Sequence, residues 1–235
     1  MKNEMVKMDK SNPRYEIIDW LRGIAIIMMV VFHFIYDLKV LDIYHHKIPF
    51  LPFRIYNISI VALFYSVVGL SLCVLHTSGV KWNKVKKLSI KLGISSLIIT
   101  GVTYIAFPFS FVYFGTLHCI LAGSLLVLPL IHRPKLCFII CLLVTFFVFY
   151  LENEAYYFPI IKGSVSMDHI PIYPFAAWIL FGVVLYHFKI HTYSIPIKFL
   201  KKRLIILGRH SFVIYLVHQA ILYPLLYGVK WLINL

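Results

Sequence analysis

Long apolar runs alternate with short polar segments along the whole chain. Seven of these runs are about 16 to 23 residues long, the length of α-helix that crosses a bilayer core of about 30 Å at 1.5 Å per residue. They lie at approximately 17–38, 55–75, 88–107, 111–131, 136–151, 173–188 and 211–233. The pattern predicts an all-α, polytopic membrane helix bundle with about seven transmembrane helices, built as a single integral membrane domain over residues 1–235.

The composition supports a multi-pass protein of the cell membrane. Hydrophobic residues make up 61% and charged residues 14% of the chain, against roughly 45–50% and about 25% in soluble domains. This difference excludes a soluble globular enzyme and makes the lipid bilayer the expected surroundings. The four cysteines lie inside apolar runs without metal-ligand spacing, so we expect them to be packing residues, and we expect no metal site.

The net charge of +14 is distributed unevenly between the two ends of the predicted helices. If successive runs cross the membrane, most of the 23 Lys and Arg residues fall on one side. The exceptions are Lys39, Lys47, Arg54, Lys162 and Lys230. Because cytoplasmic loops retain Lys and Arg, the N-terminus is predicted to be cytoplasmic and the C-terminus outside. Topology thus explains the basic excess, and no nucleic-acid partner is predicted. Residues 197–207 are predicted to form a short amphipathic helix at the inner lipid surface.

Ionisable residues at membrane depth cost about 2.5 to 3.5 kcal/mol on insertion scales and therefore indicate function. Arg22 and His33 are eleven residues apart on the first helix, which is three turns plus about 20° and about 16 Å along the axis. They therefore share one helix face. Asp37 follows His33 by one turn, where helix side chains meet, and is predicted to orient the imidazole. The alternative for His33 is a structural hydrogen bond between helices.

Further candidates lie on the outer side of the predicted bundle. His118 is about a turn and a half into its helix and reaches a depth similar to that of His33. Asp168 and His169 stand in a polar segment that leads into the sixth helix. His218 and Gln219 lie within the last predicted helix, and with Asp168 and His169 they are predicted to bind a substrate.

A candidate anion site is predicted at the cytoplasmic start of the last helix. Arg209, His210 and Ser211 follow a glycine there, and the free amides and positive dipole end of a helix N-terminus favour phosphate. Together with Arg22 they outline the site. The alternative for Arg209 is a role in membrane topology alone.

The chain resembles a known family in several blocks. Residues 14–38 look like the opening helix of the bacterial family related to the catalytic domain of heparan-alpha-glucosaminide N-acetyltransferase, within the transmembrane acyltransferase superfamily. Residues 114–118, 168–174 and 207–219 extend the resemblance in order. The spacing of Arg22 and His33 also resembles the arginine, ten residues, histidine signature of membrane O-acyltransferases that decorate surface polysaccharides.

These resemblances imply transfer of an acetyl or similar acyl group from acyl-coenzyme A to a sugar hydroxyl or amine of a surface glycan or glycolipid. His33 would be the general base, with Asp37 orienting its ring. His118 would polarise the thioester carbonyl or act as a second acid. Arg22 and Arg209 would hold coenzyme A phosphates. Direct transfer and a transient acyl-histidine both remain open.

Other classes of protein remain as alternatives. A transporter or flippase for a lipid or glycan also uses intramembrane His and Asp residues, and it would move substrate without consuming an acyl donor. A haem carrier with ligands among His33, His118 and His218 would show a Soret band. A retinal protein is disfavoured because Lys230 lies at the outer end of its helix. The oligomeric state is open, a homo-oligomer included.

Overall fold

A computed structural model describes residues 15–46, 49–150, 166–193 and 198–233. Over these ranges the chain forms eight α-helices and shows no β-strand, which confirms the all-α prediction. The helices are α1 (Glu16–Val40), α2 (Phe50–Leu75), α3 (Trp82–Ala106), α4 (Thr116–Val127), α5 (Pro134–Tyr150), α6 (Ile172–His187), α7 (Lys198–Arg209) and α8 (Ser211–Ile233). Short 3-10 turns follow α4 at Leu128–Leu130 and α6 at Ile190–Thr192.

Four of the described helices, α1, α2, α3 and α8, are long and apolar enough to cross a membrane. Three further helices are apolar but shorter, at 10–17 residues each: α4 with its 3-10 extension, α5 and α6. The all-helical architecture with several apolar helices is therefore confirmed. The number of crossings and the sidedness of the termini stay predictions.

Three helix starts differ clearly from those predicted, and the first is that of α2, which begins at Phe50 rather than near residue 55. The α3 helix begins at Trp82 rather than near residue 88. Hydropathy marks only the apolar part of a helix, whereas the backbone hydrogen bonds of α3 begin earlier, in a basic first turn. The α4 helix begins at Thr116 rather than near residue 111. The preceding Gly115 has extended backbone angles and ends an apolar loop, which hydropathy alone cannot distinguish from a helix.

The α2 and α6 helices pack backbone to backbone at two glycines. A Cβ on Gly69 would meet the carbonyl oxygen of Ile179, and a Cβ on Gly182 would meet that of Ser66. Small residues let membrane helices approach closely in this way. Around this contact lies the main apolar core, which includes the buried cysteines Cys73, Cys119 and Cys137.

The α7 helix packs against α1 through a second glycine contact. A Cβ on Gly208 would meet the carbonyl oxygen of Asp19, and a Cβ on Gly23 would meet that of Leu204. The helix predicted over residues 197–207 is thus present as α7, and it rests on protein along α1. This contact brings the end of α7, where Arg209 lies, to the first turns of α1.

Candidate functional site

A pair of histidines lies between α1 and α8. The ring centroids of His33 and His218 are 4.8 Å apart and the ring planes are tilted by 55°. Both side chains are half-buried. The structure thus brings the predicted base into contact with a histidine that was predicted only to bind substrate.

Asp37 does not pair with His33 as predicted. Its two carboxylate oxygens accept hydrogen bonds from the side-chain amide of Gln219, at 2.8 and 2.9 Å. Within the described ranges no hydrogen bond joins Asp37 to His33. The one-turn spacing allowed such a bond, but the amide on α8 reaches both oxygens of the buried carboxylate. We call the contact formed by His33, Asp37, His218 and Gln219 the α1–α8 seam.

Two buried polar atoms of the α1–α8 seam have no hydrogen-bond partner among the described residues, Nε2 of His218 and Oε1 of Gln219. The other ring nitrogen of His218, Nδ1, lies 2.7 Å from the backbone carbonyl oxygen of Tyr215. An unpartnered buried polar atom is costly in a folded protein and calls for an explanation, which a ligand can supply.

His118 caps the N-terminus of α4. The backbone N–H of Gly115 donates to its Nδ1 at 3.2 Å, and its Nε2 lies 3.4 Å from Oγ1 of Thr100. The Thr100 hydroxyl in turn donates to the carbonyl oxygen of Val112 at 2.7 Å. Because Nδ1 is an acceptor here, a neutral His118 carries its proton on Nε2 and is a donor there. No ring contact joins it to His33 in the described part of the chain.

The carboxylate of Asp168 ties its loop to α4 and α8. It accepts hydrogen bonds from the backbone N–H and the hydroxyl of Thr116, at 3.0 and 3.2 Å. A third, at 3.4 Å, comes from the hydroxyl of Tyr215. A negative charge at a helix N-terminus is favourable. Since the Tyr215 carbonyl also contacts His218, Asp168 is connected through one residue to the α1–α8 seam.

His169, next to Asp168, has a buried ring. Both ring nitrogens are buried and lack a partner among the described residues, and the ring centroid lies 5.3 Å from that of Tyr113. Burial lowers the pKa of His169, and the Asp168 charge opposes this shift. The neutral ring therefore presents one donor and one acceptor that a ligand could satisfy.

At the other end of α1, Arg22 and Arg209 come together around Asp19, as a group that we call the arginine cluster. The buried Asp19 carboxylate lies 3.5 Å from Nη1 of Arg22 and 3.6 Å from Nε of Arg209. A further bond of 2.8 Å runs from Nη2 of Arg22 to the hydroxyl of Ser71 on α2. The predicted meeting of the two arginines is present. Asp19 and Ser71, which belong to the same group, were not predicted.

The other two predicted anion ligands adjoin this cluster. His210 is exposed, and its carbonyl oxygen accepts the backbone N–H of Ile214 at 3.0 Å, which places it at the start of α8. Ser211 is the first residue of α8. The N-terminus of α8 therefore lies directly after Arg209.

A family model matches a range of the chain that includes both the α1–α8 seam and the arginine cluster. The family model described as heparan-alpha-glucosaminide N-acetyltransferase, catalytic, matches residues 14–220. The chain belongs to this family. No curated protein and no solved structure matches the chain. Family membership supports a membrane acetyltransferase in general terms, and the matched range contains every residue of the α1–α8 seam and of the arginine cluster.

The described residues contain no group of three or more His, Cys, Asp or Glu side chains that could hold a metal ion.

Proposed function

We propose that the protein is a membrane-bound acyltransferase that moves an acetyl or similar acyl group from acyl-CoA to a sugar hydroxyl or amine of a surface glycan or glycolipid. One observation carries the proposal: a half-buried imidazole, His33, faces a second imidazole in a chain of the N-acetyltransferase family. Acyl transfer needs a base at the attacking atom, and a placed base of this kind contributes about 10² to 10⁴ in rate.

His33 removes the proton of the acceptor O–H or N–H while that oxygen or nitrogen attacks the carbonyl carbon of the thioester. The new C–O or C–N bond forms, the C–S bond breaks, and coenzyme A leaves with the electron pair on sulfur. The proton held by His33 then passes to this thiolate. His118 supports the step as a donor, since its Nε2–H can exchange Thr100 for the carbonyl oxygen on which charge develops.

The acceptor binds beside the α1–α8 seam. Oε1 of Gln219 is a buried acceptor that needs a donor, and a sugar hydroxyl or amine brings one. His169 offers two unpartnered ring nitrogens near Asp168, and His218 adjoins Gln219 on α8. We assign these groups to the acceptor site, in which Gln219 and His169 contact the acceptor and His218 lies beside it.

The acyl-CoA donor binds with its phosphates at the arginine cluster. Two guanidinium groups lie beside one carboxylate here. The side chains of Arg22 and Arg209 are 33% and 47% exposed, which leaves both within reach of a ligand. The N-terminus of α8, with His210 and Ser211, adds backbone amides and a favourable dipole.

We also propose the membrane topology that connects the two substrates. The chain crosses the cell membrane seven times, through α1 to α6 and α8, with the N-terminus cytoplasmic and the C-terminus outside. The basic residues of α3 and α7 then face the cytoplasm. The arginine cluster lies on the cytoplasmic side and the α1–α8 seam nearer the outside, so a cytosolic donor can reach an extracytoplasmic acceptor.

The test uses the full chain in lipid vesicles with acetyl-CoA labelled in its acetyl group. Surface glycans and lipids of the producing cell serve as acceptors, and mass spectrometry detects the added acetyl group. His33→Ala should abolish the transfer, whereas His45→Ala, which changes an exposed loop histidine bonded to Asp42, should not. Full turnover in His33→Ala would contradict the mechanism. Movement of a lipid or glycan without use of the donor would show a transporter instead.

A further inference from the structure

The hydrogen bond of His218 determines which of its ring nitrogens can accept a proton. Nδ1 lies 2.7 Å from the backbone carbonyl oxygen of Tyr215. A carbonyl oxygen only accepts, so the network assigns the proton of the neutral ring to Nδ1. Nε2 therefore carries the lone pair, and it is buried without a hydrogen-bond partner in the described part of the chain.

This lone pair belongs to the ring that faces His33. Because the centroids are only 4.8 Å apart, rotation of the His33 side chain can direct one of its N–H groups at Nε2 of His218. Hydrogen bonds of this kind are often incomplete until the reacting groups assemble. Asp37, the partner predicted for His33, is bonded to Gln219.

We propose that His218 is the positioning residue for His33: its Nε2 accepts the N–H of His33, directs the other nitrogen of His33 at the acceptor, and stabilises the imidazolium formed there. This inference rests on the proposed acyl transfer. A neutral His33 has one donor and one acceptor nitrogen, and the protonated ring has two donors. The donor that points away from the substrate then makes a charge-assisted hydrogen bond to His218.

The other charged and titratable groups around His33 and His218 are hydrogen-bonded elsewhere, so we assign this role to His218. On α1, Asp37 is engaged by Gln219. On α8, the Tyr215 hydroxyl points to Asp168 of the loop before α6. Asp168 in turn is bonded to Thr116. Each of these groups has a partner of its own, whereas Nε2 of His218 has none among the described residues.

The test compares three substitutions in the full chain, reconstituted in vesicles with labelled acetyl-CoA and the native membrane acceptors. In His218→Gln, Oε1 can take the place of Nε2 as a neutral acceptor. In His218→Asn the side chain has similar polarity, but it is shorter and its amide oxygen cannot reach the N–H of His33. His187→Asn is the matched control, because Nδ1 of His187 makes the same bond to a carbonyl one turn earlier, that of Val183, at 3.0 Å.

We expect His218→Asn to lower kcat by about 10²-fold, the lower end of the contribution of a placed base, with the KM for acetyl-CoA unchanged. His218→Gln should keep kcat within about tenfold of the wild type, since it keeps the acceptor. His187→Asn should match the wild type. A thermal unfolding midpoint in detergent, measured for each variant, separates loss of fold from loss of rate.

Three results would overturn the inference: wild-type kcat in His218→Asn, equal losses in the Gln and Asn variants, or a loss confined to KM. If His218→Asn does not fold, the Gln variant still decides, because a loss of kcat beyond about 10²-fold with an intact fold contradicts the acceptor role. Absence of acetyl transfer by the wild-type protein would instead overturn the proposed function itself.

Discussion

The side-chain amide of Gln219 donates two hydrogen bonds to the carboxylate of Asp37, at 2.8 and 2.9 Å, between α8 and α1. His33 lies one turn before Asp37, and His218 lies immediately before Gln219. The amide–carboxylate contact and the histidine contact are therefore neighbours along the same two helices. Together they restrict rotation of α1 against α8, so the bond at Gln219 holds the two imidazoles opposite each other.

Gln219→Leu should destabilise the protein, because the 1%-exposed Asp37 carboxylate loses both of these donors. A buried polar group left without its partner costs about 1–3 kcal/mol. The thermal midpoint in detergent should fall by about 2–4 °C for each kcal/mol in a chain of this size. The matched control is Asn57→Leu, which removes an exposed amide on α2 and should leave the midpoint nearly unchanged. Equal midpoints for both variants would show that the contact is dispensable.

Arg22→Ala should weaken donor binding more than it slows the bound complex. A hydrogen bond to a charged group contributes about 1.5–3 kcal/mol, so the apparent KM for acetyl-CoA should rise by about tenfold or more, with kcat nearly constant. Arg209 stays beside Asp19, so the cluster keeps an ion pair. Arg54→Ala is the control, since it removes an exposed arginine on α2. An unchanged KM would assign Arg22 a structural role.

Gly208→Ala should separate α7 from α1, because its Cβ would collide with the backbone carbonyl of Asp19. The unfolding midpoint in detergent should drop, and overpacking of this kind costs about 1–3 kcal/mol. The matched control is Gly228→Ala on α8, where a Cβ meets nothing within 4 Å. That substitution should be neutral or should stabilise by up to about 1 kcal/mol, since alanine is the better helix former. A stable Gly208→Ala variant would mean that the two helices can adjust.

His76 makes the stability of the fold depend on pH. Burial lowers its pKa below the ordinary value of 6.5, and the nearby cations Lys81 and Lys84 lower it further. The backbone N–H of Lys81 also donates to its Nδ1 at 3.0 Å, a bond that the protonated ring cannot accept. The contribution of His76 is therefore complete above pH 6.5 and is lost as the pH falls below that value, where only the unfolded chain binds the proton readily.

The thermal unfolding midpoint should accordingly decrease as the pH is lowered from about 7.5 to about 5.5, a range that includes the ordinary histidine pKa. His76→Gln should reduce the fall. His45→Gln, at an exposed loop position, should keep all of it. The same pH dependence in both variants would remove His76 from the explanation.

The sequence predicts the helices well wherever a helix coincides with an apolar run. The last predicted run and α8 begin at the same residue, Ser211. Prediction fails at α4, where residues 111–115 are apolar but form a loop up to Gly115. Hydropathy measures transfer into lipid, whereas a helix start depends on local hydrogen bonds such as that of His118 to Gly115.

The candidate site could be predicted in its residue types but less well in its pairs. Arg22 and Arg209 meet as expected, because both were assigned to the same end of the bundle. Asp37 was assigned to His33 because spacing within a helix is visible in the sequence, while an amide on another helix is not. Asp19 was missed for a related reason, since its importance comes from the approach of α7.

The partners of the α1–α8 seam are far apart in the order of synthesis. Asp37 and Gln219 are separated by 182 positions, and Asp19 and Arg209 by a similar distance. A ribosome makes the first partner of each contact long before the second. A nascent chain that has released α1 through α6 therefore holds only part of each group, and the α1–α8 seam and the arginine cluster stay incomplete until α7 and α8 have emerged and joined α1.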